Sequence, residues 1–492
     1  MNPTMIALGL VSVMLCLGMI FRAKVPFFRK MLMPASVIAG IIGFVFMNVV
    51  PNAFHTDLGG VNDSVFNTLV NVLFTISFIG ITLTDSKKEK KKPDADGKKQ
   101  SGTLKGGLAM GIIWSSLFVL TSGLGYYIIL IVGKPFGMAP EYGTLIPTGF
   151  CQGPGQAAAM GTVYETTYGF PNSAQVGITF AVVGFLAAFF VGVPLARYGL
   201  KKKIAKYSGK ITPSVEKGYF QVEEQRESAG KVTMHSGNID TLATHMAVIG
   251  VCYLLAMGIS KAVYYVPVFG PTFSGMLFFC GMMAAYIVKF VLKKLNLYFV
   301  INGKLLARIT GMASDYLVVC AFMAVTLSTV GVWLIPIVIE CVIVALLTLA
   351  FCLFFGERIG GENDFERVLG LYGTCTGTTP SGVALVRMVD PGMKTTTVVE
   401  LGMMNMFMLF SMPGTIFVTL GMTGVMPMWI ASIAMIVIGI LYIVFLKVTK
   451  TWNKPTFSLA KGRISDGTDT DMDYGFVRGF LREDYDFQGI VK

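Results

Sequence analysis

The chain has 492 residues, of which 54% are hydrophobic and only 14% are charged. This composition excludes a pair of ordinary soluble domains and indicates an all-α polytopic membrane protein. The net charge of +12 is compatible with nucleic-acid binding, so the distribution of the basic residues has to decide that question. The eight cysteines include no CxxC pair and the three histidines are far apart, so we expect neither a disulfide framework nor a metal cluster.

Hydrophobic stretches long enough to cross the hydrocarbon core recur along the first half, residues 1–199. The first stretch, at about 5–21, is followed by basic residues instead of being preceded by them. This polarity excludes a signal peptide and predicts a retained helix with its N-terminus outside. We expect further spans at about 31–50, 64–84, 107–132 and 176–199, with a lysine-rich stretch at 85–99 that is typical of a solvated cytoplasmic loop.

A polar linker at 200–240, predicted to be cytoplasmic, separates this half from a second one at 241–420. The second half contains hydrophobic stretches at about 241–264, 271–292, 311–330, 333–355 and 396–420. An extra span follows within 421–446, and a polar tail occupies 447–492. The sequence therefore predicts about 11 spans.

Two runs, one in each half, are too rich in glycine and proline to form a regular helix. The first, at about 145–168, contains Gln152-Gly-Pro-Gly-Gln156, and the second, at about 368–388, contains Gly377-Thr-Thr-Pro-Ser-Gly382. Proline removes an amide donor, and glycine weakens helical order. Because lipid offers no hydrogen-bond partners, such backbone is tolerated only inside protein or beside a water-filled cavity. Each run is therefore predicted to be a re-entrant hairpin.

The basic residues test this arrangement. With the N-terminus outside and both runs re-entrant, every lysine and arginine except Lys134 and Lys261 falls on the inside. If the first run crossed the membrane, the lysines at 201–203 would move outside. The positive charge is therefore an orientation signal for a plasma-membrane protein with a cytoplasmic C-terminus, and nucleic acid is excluded as a partner.

The same arrangement makes 1–199 and 241–420 inverted repeats, each with five spans and a hairpin before the fifth. The two hairpins align at a constant offset, which pairs Gly149, Cys151 and Gly153 with Gly373, Cys375 and Gly377. Inverted repeats with interrupted segments in matching positions are typical of secondary transporters, whose site lies between the repeats.

Three segments resemble a known family. Gly377-Thr-Thr-Pro-Ser-Gly-Val-Ala384 resembles the hairpin of bacterial sodium/glutamate symporters, and Asp315-Tyr-Leu-Val-Val-Cys-Ala-Phe-Met-Ala324 is similar to a span of that family with an aspartate near its start. Pro34-Ala-Ser-Val-Ile-Ala-Gly40 resembles its second span. The resemblance implies a dimeric, sodium-driven carrier in which a hairpin-bearing domain moves against a fixed scaffold. The first hairpin departs from the family, because Gln152-Gly-Pro-Gly-Gln156 stands where a Gly-His-Gly-type sequence is expected.

Hairpin tips suit the binding of a carboxylate and a cation, because broken helices direct free amides toward an anion and free carbonyls toward a cation. An arginine after the second tip can bind a carboxylate with two parallel hydrogen bonds. The predicted substrate-binding residues are Gln152, Gly153, Gly155, Gln156, Thr378, Thr379, Ser381 and Arg387. Alternatively, the glycines and threonines only permit tight helix packing, and Arg387 pairs with Asp390 or a lipid phosphate.

Oxygen-bearing side chains within the spans are candidates for sodium. Asn67 and Asn71 stand four residues apart and share one helix face, and Asp315 is an ionisable group near the inner end of an apolar span. The predicted sodium-binding residues are Asn67, Asn71, Asp315 and Thr376. Alternatively, the asparagines hold helices together and Asp315 caps a helix at the interface. Glu340, Glu400 and Asn405 are further polar residues within spans.

The sequence thus predicts a secondary active transporter without a cofactor, and not an enzyme. It would couple sodium to the symport of glutamate or a related carboxylate by an alternating-access, elevator-like mechanism. One alternative is a carrier of di- or hydroxycarboxylates, and another is a proton-coupled carrier that uses Asp315 or Glu340. An intramembrane enzyme is a remote alternative, because Cys151 or Cys375 without a membrane histidine supplies no nucleophile–base pair.

Overall fold

The computed structural model describes residues 2–54, 58–84, 97–207, 217–220, 228–235, 237–460 and 462–463. Most of the predicted lysine-rich loop and the tail beyond residue 463 lie outside these ranges. The helices of the first half are α1 Pro3–Lys24, α2 Pro26–Met31, α3 Ala35–Phe54, α4 Asp63–Leu83, α5 Gly97–Val132, α6 Ile146–Phe150, α7 Pro154–Tyr168 and α8 Ser173–Lys201. A 3-10 helix at Pro140–Leu145 leads directly into α6.

The second half is also helical. Its elements are α9 Thr241–Val263, α10 Gly270–Gly275, α11 Leu277–Lys294, α12 Gly303–Ala324, α13 Leu327–Val330, α14 Leu334–Gly356, α15 Asp364–Cys375, α16 Thr379–Val389, α17 Thr397–Met404, α18 Met412–Met422 and α19 Met428–Val448. A 3-10 helix at Asn405–Ser411 joins α17 to α18. A short antiparallel pair, β1 Phe457–Ser458 and β2 Gly462–Arg463, follows α19.

Among the described residues, eight helices are long and apolar enough to cross a membrane, namely α1, α4, α5, α8, α9, α12, α14 and α19. A ninth candidate combines Thr397–Met404 with Leu409–Met422, two segments that meet at an angle of 53°. Helices also form at the other two predicted spans, but the apolar part of α3 is short and α11 carries three lysines. The chain is therefore an all-α polytopic membrane protein, as its composition predicts.

The span predicted at 311–330 is wrong in its bounds. Asn302 caps α12 by accepting a hydrogen bond from the Leu305 amide at 3.1 Å, so the helix begins well before the apolar stretch. Lys304 and Arg308 are exposed, because long side chains can place their charges away from an apolar surface. Asp315 consequently lies in the middle of α12 and not near its inner end.

The helices differ strongly in how much of their surface the protein covers. The apolar windows of α8 and α5 are 72% and 67% buried, whereas those of α1 and α9 are 22% buried. The first two helices therefore lie in the interior and the last two at the periphery. Helix α4 packs along α12, and a Cβ at Gly80 would lie 2.6 Å from Thr310 Oγ1. Glycine at this position allows the close approach of the two helices.

A buried ion-pair cluster lies at the start of α15. The Arg367 guanidinium donates through Nε and Nη2 to the two carboxylate oxygens of Glu400 at 2.7 Å each, and through Nη1 to Asp364 at 2.7 Å. The Thr396 hydroxyl also donates to Glu400, at 2.8 Å. Because the single guanidinium donates to both carboxylates, this cluster joins α15 to α17 and gives each buried acid a hydrogen-bond partner.

Candidate functional site

The first broken run comprises residues 140–168, and its break is residues 151–153. Helix α6 ends at Phe150, and α7 starts at Pro154, whose missing amide costs nothing at a helix N-terminus. Gly153 has φ 84° and ψ −177°, a backbone conformation that is essentially restricted to glycine. The Cys151 carbonyl accepts a hydrogen bond from the Trp114 indole of α5 at 3.1 Å, so the break is held by a fixed neighbour.

The second broken run comprises residues 364–389, and its break is residues 376–378. Helices α15 and α16 fold back against each other through glycine contacts, with a Cβ at Gly373 only 2.8 Å from the Gly382 Cα. Pro380 occupies the first turn of α16, as Pro154 does in α7. The positions predicted to interrupt the two helices are therefore the positions at which they are interrupted.

The two breaks touch each other. A Cβ at Gly153 would lie 2.5 Å from Thr378 Cγ2, and the Cys151 thiol donates to the Cys375 carbonyl at 3.6 Å. Helix α8 lies against the second break, since a Cβ at Gly184 would lie 2.5 Å from the Thr376 carbonyl oxygen. Residues that are far apart in the chain but aligned between the two runs thus lie in contact with each other.

Two helix N-termini open at this contact. The N-cap residues of α7 and α16 are Gly153 and Thr378, and neither provides a side-chain cap. Four amides in these first turns have no acceptor among the described residues, namely those of Gly155, Gln156, Thr379 and Ser381. Free amides at a helix N-terminus form a site of positive potential that suits a carboxylate.

The side chains at the second break have mixed roles. The Thr378 and Ser381 hydroxyls lie 3.4 Å apart, and the Thr379 hydroxyl donates to Asn405 Oδ1 at 3.5 Å. The Thr376 hydroxyl is buried and donates to the Tyr372 carbonyl at 2.7 Å, which leaves its lone pairs available. The predicted substrate-binding threonines and serine therefore share one location with the free amides.

Two side-chain carbonyl oxygens are buried without a hydrogen-bond donor among the described residues. One is Gln152 Oε1 and the other is Asn67 Oδ1 of α4. The Asn71 side-chain amide donates to the Asn67 backbone carbonyl at 3.2 Å. Phe74, one turn after Asn71, packs directly against Gly155. Phe74 therefore places one end of the α4 face that carries both asparagines against the start of α7, and Asn67 lies about 10 Å further along that face. Carbonyl oxygens without donors are suitable ligands for a hard cation.

Asp315 and Arg387 are not brought to the breaks. Asp315 is exposed and interacts with the Ser36 hydroxyl of α3. The connection from α12 to the second break passes through Phe322, whose ring centroid lies 6.4 Å from that of Phe185, itself in contact with Gly377. Asp315 precedes Phe322 by seven residues, about 10 Å along a helix.

Arg387 is likewise exposed, about 12 Å along α16 from Thr379. The alternative in which it pairs with Asp390 receives no support from the geometry, because Asp390 accepts from the Lys394 and Thr395 amides at 3.0 and 2.7 Å. Asp390 thus ends the second broken run by binding the following backbone.

Several residues that shape the breaks could not be identified from the sequence. Trp114, Phe74 and Phe185 are apolar residues within predicted spans, and nothing local distinguishes them from lipid-facing neighbours. Cys151 and Cys375 did carry a signal, since they occupy equivalent positions in the aligned runs. That equivalence points to their contact once the runs are taken as a pair.

Comparison with known families identifies the family of this chain. The family described as sodium/glutamate symporter matches residues 3–395, which include both broken runs and every predicted site residue. Comparison with curated proteins finds no match. Because the family match covers most of a chain that has multiple membrane-spanning helices, the chain belongs to the sodium/glutamate symporter family of membrane transporters.

Proposed function

We propose that this protein is a sodium-coupled symporter of glutamate or a related carboxylate in the plasma membrane. The observation that carries the proposal is the contact between Gly153 and Thr378, the N-cap residues of two uncapped helices. A carboxylate at this contact accepts hydrogen bonds from amides of α7 and α16 at once. Both breaks then contribute to one substrate site.

Sodium binds beside the substrate in this proposal. Asn67 Oδ1 and Gln152 Oε1 are buried oxygens with no donor among the described residues, and the Thr376 hydroxyl keeps its lone pairs. Burial of such oxygens without a partner destabilises the protein, and a bound cation removes that cost. Asn71 remains a proposed ligand from the same helix face, whereas the position of Asp315 favours a role in the ion pathway over direct ligation.

In this proposal, movement of the two broken runs provides alternating access to the site. Cys151 and Cys375 are equivalent in the aligned halves and are in contact, as expected for inverted repeats around a pseudo-twofold axis. We therefore propose that the two broken runs enter from opposite faces and move as one body against the peripheral helices. The N-terminus outside, the cytoplasmic C-terminus and the homodimer remain predictions of the charge distribution and the resemblance.

A carrier of di- or hydroxycarboxylates is the second candidate. Among the described residues, the two breaks contain no aspartate or glutamate that could pair with the α-ammonium group of glutamate. Gln152 Oε1 is a buried neutral acceptor that suits either an ammonium or a hydroxyl group. The choice between the two substrates therefore depends on a measurement of specificity.

The test is uptake of labelled glutamate into proteoliposomes, with and without an inward sodium gradient. We expect sodium-dependent uptake that is inhibited by the true substrate in a panel of amino and hydroxy dicarboxylates. Gln152→Ala and Thr379→Ala should each lower uptake about tenfold or more, whereas Thr166→Ala, an exposed threonine of α7, should not. Sodium-independent uptake, or no carboxylate uptake across the panel, would contradict the proposal. Unchanged uptake in both site variants would remove the breaks from the site.

A further inference from the structure

Glu340 of α14 differs from the other buried acidic residues of the described chain. Its side chain is 0% exposed, and neither carboxylate oxygen has a hydrogen-bond partner. The other four buried acids in this part of the chain all have partners: Asp364 and Glu400 bind Arg367, Glu366 binds the Lys206 amide, and Asp390 binds backbone amides. Glu340 is therefore the one buried acid here that the fold leaves without a partner.

The carboxyl group lies over a contact made by two glycines. A Cβ at Gly125 of α5 would lie 2.7 Å from Glu340 Oε1, and Gly125 is packed directly against Gly143 of the first broken run. The Gly143 carbonyl already accepts the Ile146 amide, and Gly125 lies within a regular helix. The surrounding carbonyls are therefore committed to backbone hydrogen bonds.

The nearby charged and titratable groups do not neutralise a negative charge on Glu340 either. The acidic residue of the adjoining 3-10 helix, Glu141, interacts with Tyr126 and Tyr142. Within the described residues of α5, α8 and α15, which pack around α14, and of that 3-10 helix, which packs on α5, no charged side chain interacts with Glu340. On α14 itself, the titratable group that interacts with Glu340 is the thiol of the next residue, Cys341.

An ionised carboxylate without a partner is costly in such a place, and a neutral carboxylic acid is much less so. A bound sodium ion would also neutralise it, but that ion needs several oxygen ligands, whereas the carbonyls of Gly125 and Gly143 already accept backbone hydrogen bonds and offer at most one further lone pair each. A proton requires only the carboxyl oxygen. We propose that Glu340 is a proton-binding site that is loaded in this conformation and unloaded when the first broken run moves away from α14 during transport.

The position of Glu340 connects proton binding to the proposed transport cycle. Thr144, next to Gly143, shares a hydrogen bond of 2.6 Å with the Tyr164 hydroxyl of α7. The 3-10 helix at Pro140–Leu145 is therefore linked to the helix that follows the first break. Movement of the break therefore changes the cover over the carboxyl group. This inference rests on the proposed transport function, in that the proton is taken up and released as the carrier alternates.

The experiment measures sodium-driven uptake at a fixed sodium gradient between about pH 5.5 and about pH 8.5. We expect wild-type uptake to fall several-fold as the pH rises, because an ionised Glu340 disfavours the packed conformation. Glu340→Gln, which mimics the neutral acid, should make uptake independent of pH at the acid-side rate. Glu141→Gln, a half-exposed acid of the adjoining 3-10 helix, should keep the wild-type profile.

A second readout does not depend on transport. The infrared spectrum of the purified protein should contain the carbonyl band of a protonated carboxylic acid near neutral pH, and both Glu340→Gln and Glu340→Met should lack it. Glu340→Met also tests folding, because it replaces an unpaired acid by an apolar side chain of similar size and should not lower the melting temperature.

The outcomes separate this inference from the proposed function. A wild-type profile retained in Glu340→Gln, or pH-independent wild-type uptake, would overturn the proton site while leaving the symporter intact. A tenfold higher sodium requirement in Glu340→Gln with an unchanged pH profile would make Glu340 a sodium ligand instead. If no carboxylate uptake occurs at any pH, the proposed function fails, and the infrared band alone then decides whether Glu340 holds a proton.

Discussion

Substitution of Gly153 by alanine tests the contact on which the proposed site depends. Two separate costs arise from the added methyl group. The first is backbone strain, because φ 84° with ψ −177° is a conformation that alanine strongly disfavours, at about 1–3 kcal/mol. The second is steric, because the new Cβ would lie 2.5 Å from Thr378 Cγ2, whereas carbon atoms prefer about 3.5–4.0 Å.

Relief of that clash requires the breaks to separate by roughly 1 Å, and overpacking of this kind costs about 1–3 kcal/mol. The proposed site requires the breaks to stay in contact when substrate is bound, whereas they can separate in the empty protein, so these costs act against binding. Since about 1.4 kcal/mol corresponds to a tenfold change in affinity, Gly153→Ala should weaken substrate binding at least tenfold. The two costs can be separated because they depend on different partners. Thr378→Ser removes the methyl group in the clash and keeps the hydroxyl, so it relieves the steric cost alone.

The assay is the substrate concentration for half-maximal sodium-driven uptake in wild type, both single variants and the double variant. Thr378→Ser alone should change this value about threefold or less, and the double variant should recover roughly tenfold over Gly153→Ala. Gly169→Ala is the matched control, because Gly169 also has a positive φ, 75°, but a Cβ there meets nothing within 4 Å. If the fold-change of this concentration in the double variant equals the product of the fold-changes in the two single variants, the contact between the breaks is refuted.

Two further predictions concern stability. Arg367→Met should lower the free energy of unfolding by about 3–5 kcal/mol by leaving Glu400 buried and unpaired, and addition of Glu400→Met should restore much of it in thermal unfolding in detergent. An unaltered melting temperature in Arg367→Met would show that the pair does not stabilise the fold. Phe457→Ala should release the segment after α19, because the buried Phe457 ring packs edge-on against Phe365 at 5.5 Å. Limited proteolysis should then cleave after residue 448 several-fold faster than in wild type or in Phe220→Ala, an exposed control, and equal cleavage rates would contradict this packing.

The breaks could be predicted from the sequence because their signals are local. Pro154 and Pro380 each remove an amide donor, and the neighbouring glycines disfavour a helix, whatever the rest of the fold does. The contact between the breaks could be anticipated only through the alignment of the two halves. The packing of Trp114 and Phe74 on the first break has no local signal, because these side chains look like any apolar residue in a span.

The errors of the sequence interpretation share one physical cause. A hydropathy pattern locates apolar surface, whereas hydrogen-bonded caps and ion pairs determine where a helix begins and what it buries. Asn302 starts α12 ahead of its apolar part, which moves Asp315 to the middle of the helix. Hydropathy likewise did not indicate that Arg367 is buried, because its partner Glu400 stands 33 residues away in the chain.

The partners of an ionisable group within a span, and not its hydropathy, therefore indicate whether its role is structural or functional. An acid within a span marks a functional site by default, which from sequence alone applied equally to Glu340, Glu400 and Asp315. Glu400 has a bidentate guanidinium partner, so its removal should affect stability first. Asp315 is exposed and interacts with the Ser36 hydroxyl of α3, so it differs from both of the buried acids. Glu340 is buried and unpaired, and a group in that situation gains most from a proton that arrives and leaves as its cover moves.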